Sequence, residues 1–105
     1  EIAQCLVGSE MCIETGLNVF LLLEDVQKKE ALKFVATELV EKSLHDKGCI
    51  AYDIFESATV DNHMMICETW ASEKDLEAHM ASPHFKELVP KLEEIATLTL
   101  EKFNF

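Results

Sequence analysis

The spacing of hydrophobic positions changes several times along the chain, and each change marks an element. Residues 17–24, LNVFLLLE, form an almost continuous apolar run of strand length, the pattern of a strand buried on both faces. Over residues 28–45 the spacing becomes helical: Leu32, Val35, Ala36 and Leu39 share one side, with Lys and Glu between them. Asp25 is a candidate cap upstream; His45 and Lys47 suit the C-terminal end of the helix dipole, and Gly48 stops the helix. Residues 49–57, CIAYDIFES, and 64–71, MMICETWA, alternate as strands do, and ATVDNH between them reads as the turn of a hairpin. Ser72 caps a short helix, with Asp75 in the capping-box position. Ser82–Pro83 opens a second helical piece, Ser as cap and Pro at the first helical position, and Pro90 is expected to end or kink it. Residues 97–103, TLTLEKF, alternate again as a last strand.

The order β-α-β-β-α-β predicts an α+β, ferredoxin-like domain with a four-stranded antiparallel sheet. Right-handed crossovers put both helical connections on one sheet face. The other face stays apolar, because the first strand has no clean polar side. An uncovered apolar sheet asks for a partner, and two such sheets facing each other close a dimeric α/β barrel. A homodimer is therefore expected. Residues 1–16 have no clean period and read as an N-terminal extension ahead of a single domain over residues 17–105.

Composition narrows the partners. Twenty acids against nine bases give a net charge of −11, which argues against nucleic acid and against an anionic membrane surface. No apolar run approaches the roughly 20 residues of a membrane span, and residues 1–16 lack the positively charged start of a signal peptide. Cys5, Cys12, Cys49 and Cys67 form no C-x-x-C pair and have no ligand-spaced His nearby, so no metal is expected on them. They read as reduced thiols in a cytoplasmic setting, with a Cys5–Cys12 disulfide as the alternative. There is no phosphate loop, no H-E-x-x-H and no G-x-S-x-G.

The segment GCIAYDIFES, followed by ETWASEKDLEAHMASPHFKEL, resembles the antibiotic-biosynthesis monooxygenase domain family. The matching positions are Gly48, Cys49, Tyr52, Glu68, Trp70, His79, Ser82, Pro83, His84 and Phe85, and the likeness runs from about residue 17 to 105. It implies a dimeric α/β barrel with a small-molecule pocket between sheet and helices. Many members of the family are cofactor-independent oxygenases of quinols or anthrones; one branch degrades haem and another isomerises a phosphorylated sugar derivative. The haem branch is disfavoured here. His79 stands where its Trp would fall, Val89 where its axial His would be, and Asn18 comes slightly early for its Asn. All nine basic residues are lysines. The lack of an arginine fork counts against a phosphorylated substrate and points toward a neutral aromatic one, with dioxygen as co-substrate.

An oxygenase without metal or flavin needs a base that deprotonates a phenol, and a dry cavity. His84, in the first turn of a helix that favours a nearby anion, is the first candidate for the base, against a purely capping role. His79 is the second, against a surface position. On one continuous helix the two rings would stand about 140° apart, and the Ser82–Pro83 break leaves convergence open. Trp70 reads as a pocket wall or a core residue. Glu68, on the same strand face, could orient a His, accept a hydroxyl proton, or pair with a cation at the dimer interface. Tyr52 could bond a substrate carbonyl or pack in the core. Asn18 could hold a substrate oxygen or face solvent. Phe85 is assigned to the pocket, and Phe20, Phe34, Phe55, Met64 and Met65 to core or pocket walls. Two other functions compete with the oxygenase: a module that binds a small hydrophobic ligand without turnover, and a non-redox isomerase on the same scaffold.

Overall fold

The computed structural model describes residues 14–104. Most of the expected extension, with Cys5 and Cys12, lies outside the described residues. Four strands and three α-helices follow in the order β1 (Thr15–Leu23), α1 (Lys29–Ser43), β2 (Cys49–Glu56), β3 (His63–Trp70), α2 (Glu73–Met80), α3 (Pro83–Ile95) and β4 (Ala96–Asn104). All pairings are antiparallel, in the order β2-β3-β1-β4. This is the ferredoxin-like α+β arrangement expected from the pattern. β1 begins at Thr15, slightly ahead of the apolar run.

The helices cover one face of the sheet. Leu17, Val19, Leu21 and Leu23 of β1 point into that side and pack with Leu32, Ala36 and Leu39 of α1 and Leu88 and Leu92 of α3. Each such side chain contributes roughly 1.5–3 kcal/mol by leaving water. The expectation that β1 is buried on both faces does not hold within one chain. Phe20 and Leu22 alternate onto the open face and are 39% and 42% exposed. Phe55 shares that exposure, and Phe34 stands on the outer side of α1, so these three phenylalanines are not core residues.

Pro90 does not end α3, which runs on to Ile95. Its missing N–H frees the Lys86 carbonyl, and both residues are exposed, so water can take the place of the lost bond. Asp25 caps the short 3₁₀ turn Val26–Lys28 by accepting from the Gln27 N–H, and α1 follows directly. Among the described residues, no helix is long and apolar enough to cross a membrane.

Two local devices shape the end of the sheet beneath α2. A bulge between Cys49 and Ala51 turns Ile50 outward and keeps Cys49 opposite Trp70. Beside it, Gly48 has φ +80°, and the Asp75 carboxyl occupies the space a Cβ would need. Asp75 is the residue whose N–H is capped by Ser72 at the start of α2. The Gly48 carbonyl also accepts from the Ala71 N–H at 2.7 Å. The turn before β2 is thereby locked against the start of α2. Gly48→Ala adds a left-handed penalty and a steric clash together, and is expected to cost about 2–3 kcal/mol. Urea unfolding measures it; a loss under about 0.5 kcal/mol contradicts the close approach.

Candidate active site

His79 lies in the last turn of α2 and His84 in the first turn of α3. The break between the helices is made by Ser82, whose hydroxyl accepts from the Phe85 N–H and donates to the His79 carbonyl at 2.6 Å. One side chain thus closes α2 and opens α3, and the turn brings the two imidazoles to 5.8 Å between ring centres. They meet on Asp46, in the turn between α1 and β2. His79 Nδ1–H and His84 Nε2–H both donate to Asp46 Oδ2, each at 2.8 Å. The Asp46 backbone is pinned on both sides, its N–H to Ser43 and its carbonyl to the Cys49 N–H.

Asp46 Oδ2, His79 Nδ1 and His84 Nε2 lie within 4.8 Å of one another, and these are the residues that could hold a divalent ion. Tetrahedral ligands at about 2.0–2.1 Å from zinc stand roughly 3.3–3.4 Å apart. The 2.8 Å separations found here are those of charge-assisted hydrogen bonds.

The ring of His79 is 1% exposed. Trp70 lies against it at 4.7 Å between ring centres with planes 33° apart, and Tyr52 and Phe85 meet it edge-on at 5.4 and 5.2 Å. Its Nε2 is buried and has no hydrogen-bond partner. Burial holds this imidazole below its ordinary range, against the opposing pull of Asp46. His79 is therefore neutral near pH 7, with its proton on Nδ1 and a lone pair on Nε2.

His79 is among the residues lining a cavity of about 450 Å³ between the sheet and α2–α3. Its walls are largely apolar, including Val19, Ile66, Leu98, Phe85 and Val89. Three buried polar side chains interrupt them: His79, Tyr52 and Glu68. The exposed residues Lys86, Pro90 and Glu93 line its outer part.

Glu68 and Tyr52 are direct cross-strand neighbours on the helix-covered face. The Glu68 carboxylate accepts from Trp70 Nε1–H at 2.8 Å. Burial pushes Glu68 up to about 7, against the stabilising bonds from Trp70 and Tyr52. Burial, with Glu68 alongside, also pushes the Tyr52 phenol up, so it stays protonated.

The structure thus brings His79, Glu68, Tyr52 and Phe85 to one cavity. Trp70 is fully buried behind them, holding the Glu68 carboxylate and backing the His79 ring. His84 faces Asp46 and Ser82 and does not line the cavity. Asn18 sits on the open face of the sheet, where its amide donates to Glu101 at 3.4 Å. Asp46 was absent from the sequence reasoning. Its one signal was being the sole acid in the turn LHDKG.

The ferredoxin-like fold with a pocket between sheet and helices defines a class; comparison with known proteins defines the family. Residues 26–91 match the model of the antibiotic biosynthesis monooxygenase family, and the chain belongs to that family. A crystal structure from Bacteroides thetaiotaomicron, described as a possible oxidoreductase, is 41% identical with a TM-score of 0.83, covering 90% of this chain and 99% of that one. "Putative monooxygenase YcnE" of Bacillus subtilis is 29% identical over 75 residues, 71% of this chain and 79% of that protein. The Synechocystis protein sll1783 is 34% identical over 64 residues, 61% of this chain, which spans 44% of that relative's length.

The Glu68 environment has a consequence for stability. The folded-state value, about 7, lies above the ordinary 4.5, so folding favours the neutral acid. The stability this gives is fully present below pH 4.5 and is lost as the pH rises through about 7. The loss is about 3 kcal/mol. Urea unfolding of the native chain and Glu68→Gln across that window should show the variant gaining this difference at the alkaline end. Parallel curves would contradict the placement of Glu68.

Proposed function

We propose that this protein is a cofactor-independent monooxygenase that oxidises a small electron-rich aromatic of quinol or anthrone type, acting as a homodimer in a reducing, cytoplasmic setting. The observation that carries the reading is His79, whose buried Nε2 has no partner and which is among the residues lining an apolar cavity. A buried polar atom left unpaired costs about 1–3 kcal/mol, and a substrate hydroxyl on Nε2 removes that cost.

In this mechanism Nε2 takes the phenolic proton. The resulting anion is rich enough in electrons to react with dioxygen inside the apolar space. For a quinol, one oxygen atom enters the ring. The other leaves as water with the two hydrogens the ring system gives up, so the substrate supplies every electron. Glu68 and Tyr52 hold the second substrate oxygen. A carboxyl that titrates near 7 can accept from a hydroxyl before reaction and donate to a carbonyl after it. Family membership and the name of the Bacillus subtilis relative support the oxygenase. Free thiols at Cys49 and Cys67 support the reducing setting.

The open sheet face supports the homodimer. Phe20 and Phe55 flank Met65 across the strands β1, β3 and β2, and all three sit on the side without helices. Light scattering at micromolar concentration should give a particle of twice the 11.9 kDa chain mass. A stable monomer contradicts the homodimer.

Oxygen uptake with a panel of quinols and anthrones tests the activity. Uptake above the spontaneous rate is expected, falling by about 10²–10⁴ in His79→Ala. Conversion without oxygen uptake would make the protein an isomerase, and retention of an unchanged ligand would make it a binding module.

A further inference from the structure

We infer that Asp46 is the positioning residue of this site: through one carboxylate oxygen it fixes the His79 tautomer that leaves the unpartnered Nε2 without a hydrogen, with His84 as the second N–H that holds that oxygen in place. The inference rests on the reading of His79 as the base, and it assigns a role to a residue outside the cavity.

The proton positions follow from the donors and acceptors present. The Ser82 hydroxyl hydrogen is committed to the His79 carbonyl at 2.6 Å, so at 3.1 Å from His84 Nε2 the Ser82 oxygen can only accept. Asp46 Oδ2, at 2.8 Å from the same nitrogen, is also an acceptor. His84 Nε2 therefore carries a hydrogen. The carboxylate then receives one N–H from each ring, and the hydrogen of neutral His79 is drawn to Nδ1. The opposite tautomer would lose a 2.8 Å charge-assisted bond and bury an unpartnered N–H among apolar groups.

The helices add a field in the same sense. His79 is at a helix C-terminus, which favours positive charge, and His84 is at a helix N-terminus, which disfavours it. When a substrate proton arrives on Nε2, the cation formed is His79, facing Asp46. The anion stays in the cavity. Asp46 can hold this geometry because its turn is locked to the start of α2 through Gly48 and Asp75.

The groups that face the His79 ring are Asp46 from the turn, His84 from α3, and Tyr52 and Glu68 from the sheet, with Lys86 and Glu93 at the outer part of the cavity. ¹⁵N–¹H correlation spectra of the imidazoles test the inference without any substrate, so its failure is distinguishable from failure of the oxygenase reading. In the native chain at neutral pH, His79 should show a protonated Nδ1 and a bare Nε2. In Asp46→Ala the Nε2–H form should dominate. A native His79 protonated on Nε2, or a tautomer unchanged in Asp46→Ala, overturns the inference, and the native spectrum decides alone if that variant fails to fold. With a turned-over quinol, Asp46→Asn should lower kcat at least about tenfold with little change in KM. It should also move the acid limb of the kcat/KM profile to lower pH, because a His without its carboxylate is a weaker base. An unchanged rate and profile overturns it equally.

Discussion

Two imidazoles on different helices share one carboxylate oxygen, and most of the site's geometry follows from that contact. Asp46 sits on neither helix, so the bonds at 2.8 Å fix α2, α3 and the α1–β2 turn relative to one another. The cost appears on the far side of the ring, where Nε2 is buried with nothing to bond. A domain of this size tolerates few such groups, since its net stability is commonly only about 5–15 kcal/mol. An arrangement that satisfies one nitrogen of the His79 ring and starves the other suits a base better than a core residue.

The sheet supplies the complement. On its helix-covered face the β2–β3 register sets Tyr52 and Glu68 side by side in the cavity wall. Trp70 then ties the two halves together, donating to Glu68 through its indole N–H while its ring lies against His79. The same burial lowers the affinity of His79 for a proton and raises that of Glu68. Groups pushed in opposite directions within one cavity are a recurrent basis for dividing acid and base roles.

Much of the fold was legible because the hydrophobic spacing and the local punctuation agreed. Ser72 and Ser82–Pro83 mark the helix starts the structure uses, whereas α1 ends at Ser43, ahead of Gly48, whose positive φ serves the turn before β2. Two readings failed where a local rule met a three-dimensional context. A continuous apolar run looked buried on both faces, yet Phe20 and Leu22 are left open by a single chain. Of the two outcomes expected at Pro90, an end or a kink, the end does not occur: Pro90 falls on the exposed side of α3, where losing one bond is tolerable. The site was legible as a set of residue types and not as a geometry. Spacing alone put His79 and His84 on diverging directions, and only the serine-capped break makes them converge. Asn18 drew notice as the polar residue in β1, but strand alternation sends it to the face without helices. Asp46 carries no motif, because its role depends on a turn that folding brings under two helices.

On the proposed function, the cavity takes a proton from a phenol and keeps the anion. The most direct measurement is the visible spectrum of a nitrocatechol bound to the protein, whose anion and neutral forms absorb at different wavelengths. Below the pH at which the free probe ionises, the account predicts the anion spectrum on binding to the native chain and the neutral spectrum with His79→Gln. A probe that binds the native chain in its neutral form, or that gives the same spectrum with both proteins, would contradict it.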